Sequence, residues 1–419
     1  MHESPIRTPA AGAAGAPPRR IAAVAALVVG TALAVAGCAA PAADAPASDT
    51  ASSPASAAAD GEGRIAVSYA GGILVLDADT LETLADVDSE QFTRLNPAGD
   101  DRHVLVTTSR GFQVLDTGAG GAGEARLTDL VFEAPKAGHV VRHGGKTILY
   151  SDGTSDTTVF ETAALASSPG SLPPVQVTPG VEAHHGVSIV LEDGTFLTTV
   201  GGASGRTGIS VADASGAQIA RNDQCPGVHG EGTALGEAVV FGCENGALLY
   251  RSGEIVKLDA PDQPYGRMGN AYVSETSPIV VGDYKNDPDA EGYLLNAVTL
   301  IDTKAATLKV VDLPKDVAYT FRDVARGPGD LAYILASDGA VHVLDPATGQ
   351  ITKRLPVIAP WQGPAQWQDA HPAIVVSGST AYVTEPATKS IHAVDLTTGA
   401  VRATGTLKAA PNEIALAMG

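Results

Sequence analysis

From Gly63 to its C-terminus the chain is a succession of short apolar runs, each closed by a turn, with no long stretch of helical periodicity. One unit is plain at 321–349, where Phe321-Arg322-Asp323 leads into VARGPGD, LAYILASDG and AVHVLDPATG. Residues 369–399 repeat it as DAHPAIVVSG, STAYVTEPATK and SIHAVDLTTG, and further units begin near Arg94, His139, His185, His229 and Arg267. The runs are punctuated by Asp-Gly, Thr-Gly and Gly-Gly pairs, which supply the positive φ that tight hairpins require. The chain's 47 Gly and 27 Pro, against 18% charged residues, fit many turns better than long surface helices.

The two ends complete the pattern. Residues 412–417 (NEIALA) form a lone strand, while 64–69 (RIAVSY) and 73–77 (ILVLD) lack a first strand of their own. Together they make one sheet, the device by which propellers lock their rings. Residues 62–419 shared among eight units give about 45 per unit, inside the range for propeller blades. The pattern predicts an all-β, eight-bladed β-propeller closed by N- and C-terminal strands sharing a blade. Seven blades is the alternative, because the unit at 94–117 is short.

The segment ahead of the propeller reads as export and tether. Arg19 and Arg20 precede an apolar run over 21–36, shorter than the ~20 residues a membrane-spanning helix needs. That run ends in Val35-Ala36-Gly37-Cys38, which resembles a bacterial lipobox; the expectation is cleavage of 1–37 and lipid anchoring through Cys38. An uncleaved signal anchor with a chance Cys is the alternative. Residues 38–61, rich in Ala, Ser and Pro, are a flexible linker, leaving 62–419 as the folded domain. These features predict an extracytoplasmic, membrane-tethered lipoprotein. A formal charge of −20 argues against a nucleic-acid partner, since phosphate backbones are bound by clustered Lys and Arg. Beyond Cys38 only Cys225 and Cys243 remain, most simply a disulfide in an oxidising compartment, with a pair of metal-ligating thiolates as the alternative.

Four of the units carry His just ahead of the first strand: GHVV at His139, AHHG at His184 and His185, VHGE at His229 and AHPA at His371. First strands line the central channel of a propeller, so these positions converge on one mouth of it. Several neutral imidazoles with nearby carboxylates suit Zn²⁺. Glu231 and Asp369 lie two residues from His229 and His371 and, on a regular strand, would point the same way. Arg94, Arg267 and Arg322 share this register, placed to neutralise channel carboxylates or meet an anionic ligand. The acidic turn Asp283 to Glu291 reads as a solvated hairpin tip rather than a Ca²⁺ loop. Trp361 and Trp367 read as blade-junction packing, with Trp367 able to wall the metal site. No common hydrolase, P-loop or haem signature is present.

The stretch QCPGVHGEG…VVFGCENG over 224–246, with AHHG at 183–186 and WQDAHPAIV at 367–375, resembles the AztD family of zinc metallochaperones. The resemblance implies an eight-bladed propeller without enzymatic activity. Such a protein binds Zn²⁺ and passes it to the solute-binding protein of an ABC-type zinc importer. It implies zinc ligands among His139, His184, His185, His229 and His371, supports the Cys225–Cys243 disulfide, and leaves a monomer expected. Members of that family carry a His-bearing N-terminal segment, whereas residues 39–60 contain no His. Two other functions fit the residues: a metal-free interaction scaffold, and a zinc-dependent propeller hydrolase or lactonase with Glu231 as base.

Overall fold

The computed structural model describes residues 62–121 and 123–419. The leader at 1–37, Cys38 and the linker to residue 61 lie outside the described residues. Among the described residues no helix is long and apolar enough to cross a membrane.

The strands assemble into eight sheets, antiparallel apart from the short strand Gly266–Arg267 that pairs in parallel with Asn245–Arg251, and these sheets are the blades of a β-propeller. Innermost strands, in chain order, are Leu95–Pro97, Ala137–His143, Ser188–Val190, His229–Ala234, Ala271–Tyr272, Val324–Arg326, Ala373–Ser377 and Ile414–Ala417. Every blade start expected from the sequence therefore has its strand. The short unit at 94–117 is a full blade whose outer strand is Arg126–Glu133. The closing blade, counted as the first in the ring, is made from both ends of the chain: Ile414–Ala417 pairs with Arg64–Tyr69, with Arg64 opposite Ala417 and Val67 opposite Ile414.

Burial explains why these segments occupy these places. Second and third strands lie between neighbouring blades and are apolar on both faces: Ala238–Cys243 and Gly72–Asp77 are buried along their whole length. Outer strands such as Thr83–Asp88 alternate exposed and part-covered residues. The core lies between blades. Ile209 and Val211 of the fourth blade pack with Val239, Phe241 and Leu248 of the fifth, and Ile65, Val67 and Leu74 of the closing blade pack with Tyr382 and Ile391 of the eighth. Each such side chain stabilises the fold by roughly 1.5–3 kcal/mol. Cys225 and Cys243 form a disulfide, buried in the fifth blade, that ties the segment entering His229 to the end of the next strand.

One buried carboxyl opposes this stability. Asp323, fully buried beside the first strand of the seventh blade, accepts hydrogen bonds from the Thr320 backbone N–H and hydroxyl through Oδ2, while Oδ1 has no partner. Burial pushes its pKa up to about 8. An unfolded chain loses this proton near pH ~4 and the native protein only near 8, so the native state binds the extra proton between them. Stability is therefore lost as pH rises through that window. Asp323→Asn keeps the accepting oxygen and removes the titration. Denaturant melts at pH 5 and pH 8 should show the parent losing on the order of 3 kcal/mol more than the variant.

Candidate metal centre

His139, His185 and His229 belong to three consecutive blades, and their ligand nitrogens all lie within 4.8 Å of one another. Ring centroids are 4.9 Å (139–185), 5.0 Å (185–229) and 5.4 Å (139–229) apart. Each imidazole is held from behind through Nδ1. His139 Nδ1 donates to the Gly186 carbonyl at 2.8 Å, and His229 Nδ1 to the Gly269 carbonyl at 2.5 Å. His185 Nδ1 lies 2.6 Å from Oδ2 of Asp152. A carbonyl can only accept, so Nδ1 of His139 and His229 carries the proton and Nε2 presents a lone pair. The Asp152–His185 pair is the carboxylate–imidazole arrangement that orients metal ligands elsewhere.

Local distortions aim two of the rings. The pairing of Ala137–His143 with the next strand slips between Ala137 and Val140, placing His139 in a β-bulge. A second bulge lies between His229 and Glu231, where Gly230 adopts φ 64°. A Cβ at Gly230 would stand 2.4 Å from the Gly269 carbonyl, so the left-handed glycine permits the approach that holds His229. Gly138 has a similar part: its Cβ would meet Asp152 Oδ1 at 2.3 Å. Gly269 is fixed in turn by Asp283, whose buried carboxylate accepts from the backbone N–H of Gly269 and Asn270 and from the Asn270 side chain. Asp283 is thus a backbone anchor behind His229 rather than part of a solvated tip.

The other expected ligands are not brought to this group. His184 points into its blade: Nε2 meets Tyr150 Oη and Thr199 Oγ1, and Nδ1 meets Ser155 Oγ and the Glu182 carbonyl. Neighbours in extended chain face opposite ways, and of this pair His185 is the one that joins the group. The bulge at Gly230 breaks the alternation that would have aimed Glu231 with His229; Glu231 instead accepts from Thr233 Oγ1 at 2.7 Å. His371 is 2% exposed, donates Nδ1 to the Asp369 carbonyl at 2.7 Å, and packs against Phe321, its Nε2 without a partner. Asp369 is exposed and caps the Gln366 backbone N–H. Sequence reasoning did not single out Asp152. Its signal was the Asp-Gly pair at 152–153, in a chain where such pairs are everywhere turn chemistry.

The trio faces a channel cavity of about 1260 Å³, also lined by Arg94, Arg267, Phe321 and Trp367. Trp367 walls the cavity, edge-on to Phe92 at 5.3 Å, while the Trp361 indole N–H donates to the Ala336 carbonyl in the blade body. Arg322 and Arg94 share Glu413 at 2.7 and 3.9 Å, and Arg267 lies 3.6 Å from Glu244. Burial holds the pKa of His139 well below the usual imidazole range, and the neighbouring imidazoles and Arg94 add to the effect. Burial likewise lowers His229 to about 3, against the opposing effect of the Gly269 hydrogen bond. The His229 ring should be a neutral Nδ1–H tautomer in the metal-free protein even at pH 5. Long-range ¹⁵N–¹H correlation spectra of the imidazole check this; a protonated Nε2 resonance at that pH would contradict it.

An eight-bladed propeller with three back-braced imidazoles at one channel mouth defines a class: a propeller with a site shaped for a borderline transition metal. Comparison with known proteins narrows it. The zinc chaperone AztD of Citrobacter koseri is 25% identical over 281 residues, 65% of this chain and 63% of that protein. The match thus spans less than two thirds of that relative's length. Two structures of AztD from Citrobacter koseri, one of them the apo protein, superpose with a TM-score of 0.70 at 21% identity, covering 84% of this chain and 96% of theirs. The dihydro-haem d1 dehydrogenase NirN shares the fold alone, with a TM-score of 0.56 at 13% identity over 84% of this chain and 74% of that one. No family model matches the chain. The chain is AztD-like in both sequence and fold.

Proposed function

We propose that this protein is an extracytoplasmic zinc chaperone that carries one Zn²⁺ on His139, His185 and His229 and delivers it to the solute-binding protein of an ABC-type zinc importer. The observation that carries the reading is the convergence of three imidazoles from three blades, each braced through Nδ1. Its cargo is supported by the similarity to a protein named a zinc chaperone. Membrane tethering through Cys38 accompanies the reading, as does a monomeric state.

The chemistry follows from the donor set. Zinc takes imidazole nitrogens at about 2.0–2.1 Å in tetrahedral geometry, which places the nitrogens about 3.3 Å apart. Donors now within 4.8 Å must close by up to about 1.5 Å, within reach of small side-chain rotations. Three protein donors leave a fourth position facing the cavity. A chaperone needs that opening, because an incoming ligand can bind the metal before any protein donor lets go. Catalytic zinc uses the same open geometry but adds a general base. Glu231, the candidate base, lines the same cavity and accepts from Thr233 Oγ1 but is not among the clustered donors, so delivery is favoured over hydrolysis by the similarity to a protein named a zinc chaperone.

Purified protein should hold one zinc per chain. His229→Ala should weaken zinc by more than about 100-fold, beyond the 10–100-fold expected for losing an outer partner as in Asp152→Asn. His371→Ala should leave zinc affinity unchanged, since that ring lies outside the group. Competition titrations with a chromophoric chelator measure all four proteins. Equal affinity of the parent and His229→Ala would overturn the site. Zinc-dependent turnover of lactones or esters without transfer to a solute-binding protein would replace delivery by hydrolysis.

A further inference from the structure

Each imidazole of the trio is braced through Nδ1, but what stands behind the brace differs. His185 meets a carboxylate directly, in Asp152. The other two meet glycine carbonyls, and each carbonyl shares its peptide group with the N–H of the next residue. Behind His139, the Gly186 carbonyl is joined to the Val187 N–H, which donates to the neutral hydroxyl of Thr199 at 3.1 Å. Behind His229, the Gly269 carbonyl is joined to the Asn270 N–H, which donates to Asp283 Oδ1 at 3.0 Å. The same oxygen accepts the Gly269 N–H at 2.5 Å, and Oδ2 accepts the Asn270 side-chain amide at 2.6 Å. All three donors are N–H groups, so both oxygens act only as acceptors, as those of an ionised carboxylate do. Asp283 lies in Ile279–Tyr284, the second strand of the sixth blade, and is 6% exposed. Burial raises its pKa, while these hydrogen bonds and Arg267 act to hold it ionised.

We propose that Asp283 is a positioning residue for the metal, its negative charge passing through the Gly269–Asn270 peptide to strengthen His229 as a zinc donor. A negative charge at the N–H end of an amide favours the resonance form with its charge on oxygen. The Gly269 carbonyl then pulls harder on the Nδ1 proton, and the ring gains electron density at Nε2, the atom that faces the metal. Chains of hydrogen bonds polarise one another by roughly 10–30% per bond, and a buried chain is little screened by water. The three donors are therefore graded: His185 has an anion at its back, His229 an anion one peptide away, and His139 a neutral hydroxyl one peptide away. The effect on zinc rests on the metal reading above; the polarisation of His229 does not.

Asp283→Asn separates charge from anchoring. The amide oxygen keeps the two backbone N–H groups, and a flip of the Asn270 amide restores the side-chain bond, so the brace stays and the charge goes. The first arm reads the ¹⁵Nδ1 resonances of the metal-free protein, assigned by their loss in His229→Ala and His139→Ala. In Asp283→Asn the His229 resonance should move upfield while that of His139 stays. An unmoved His229 resonance in the folded variant leaves Asp283 a plain anchor and overturns the proposal, whether or not the protein takes zinc. Should the variant not fold, the parent decides: His229 Nδ1 should resonate downfield of His139 Nδ1, and the reverse order overturns the relay. The second arm is a zinc competition titration. Asp283→Asn should bind about tenfold more weakly than the parent, at the low end for an outer partner. Equal affinity with a shifted resonance means that the charge reaches the ring without governing the metal, which also overturns the proposal. A parent that takes no zinc defeats the metal reading instead, and the first arm still judges the relay.

Discussion

Everything at the channel mouth depends on ring closure. The residues that meet there come from blades far apart in sequence, and the strand that joins the last blade to the first is four residues, Ile414–Ala417. Its pairing with Arg64–Tyr69 sets the circumference, and the circumference sets how closely the first strands approach the axis. Long-range strand pairing of this kind is slow to form because the loop it closes is nearly the whole domain. Once made, it removes an exposed sheet edge as well as fixing the channel. Glu413, one residue before that strand, then supplies the carboxylate that Arg322 and Arg94 share, so closure and mouth electrostatics are consecutive in the chain.

The second constraint is that no imidazole is left to find its own orientation. His139 is braced by the carbonyl of Gly186, the residue after His185, and His229 by the carbonyl of Gly269, at the entrance to the following blade. Blades thus hold one another's ligands. A rotation of one blade moves a ring in the blade before it, which makes the site a property of the assembled ring rather than of any single sheet. The disulfide stiffens the same region from inside the fifth blade, four residues ahead of His229.

Much of this was legible in the sequence, and what escaped has a physical reason. Hairpin turns and apolar runs repeat at a fixed length, so blade number, blade starts and the shared closing blade could be read directly. The common register of His139, His185 and His229 likewise depends only on counting, although His139 and His229 lie within their first strands and only His185 precedes its own. The aim of a side chain depends on alternation, and alternation fails at the bulges around His139 and Gly230. For that reason Glu231 was a sensible candidate on sequence and is turned to Thr233 in the fold. His371 matched the register, but its blade lies apart from the three that cluster. Asp152 and Asp283 act through space on rings more than thirty residues away, and one sequence contains no trace of such pairings.

The mouth can be spelled as an eight-letter word, one letter for each blade: Arg94, His139, His185, His229, Arg267, Arg322, His371, Glu413. The sheets behind these letters pack mainly through other residues, although the buried Arg322–Glu413 pair and His371 are themselves part of that packing. Evolution could rewrite the chemistry of such a mouth by changing a few letters while conserving the ring, provided the bulge glycines and the braces behind each letter changed with it. The grammar lies in the braces, and they restrict which words can be spoken.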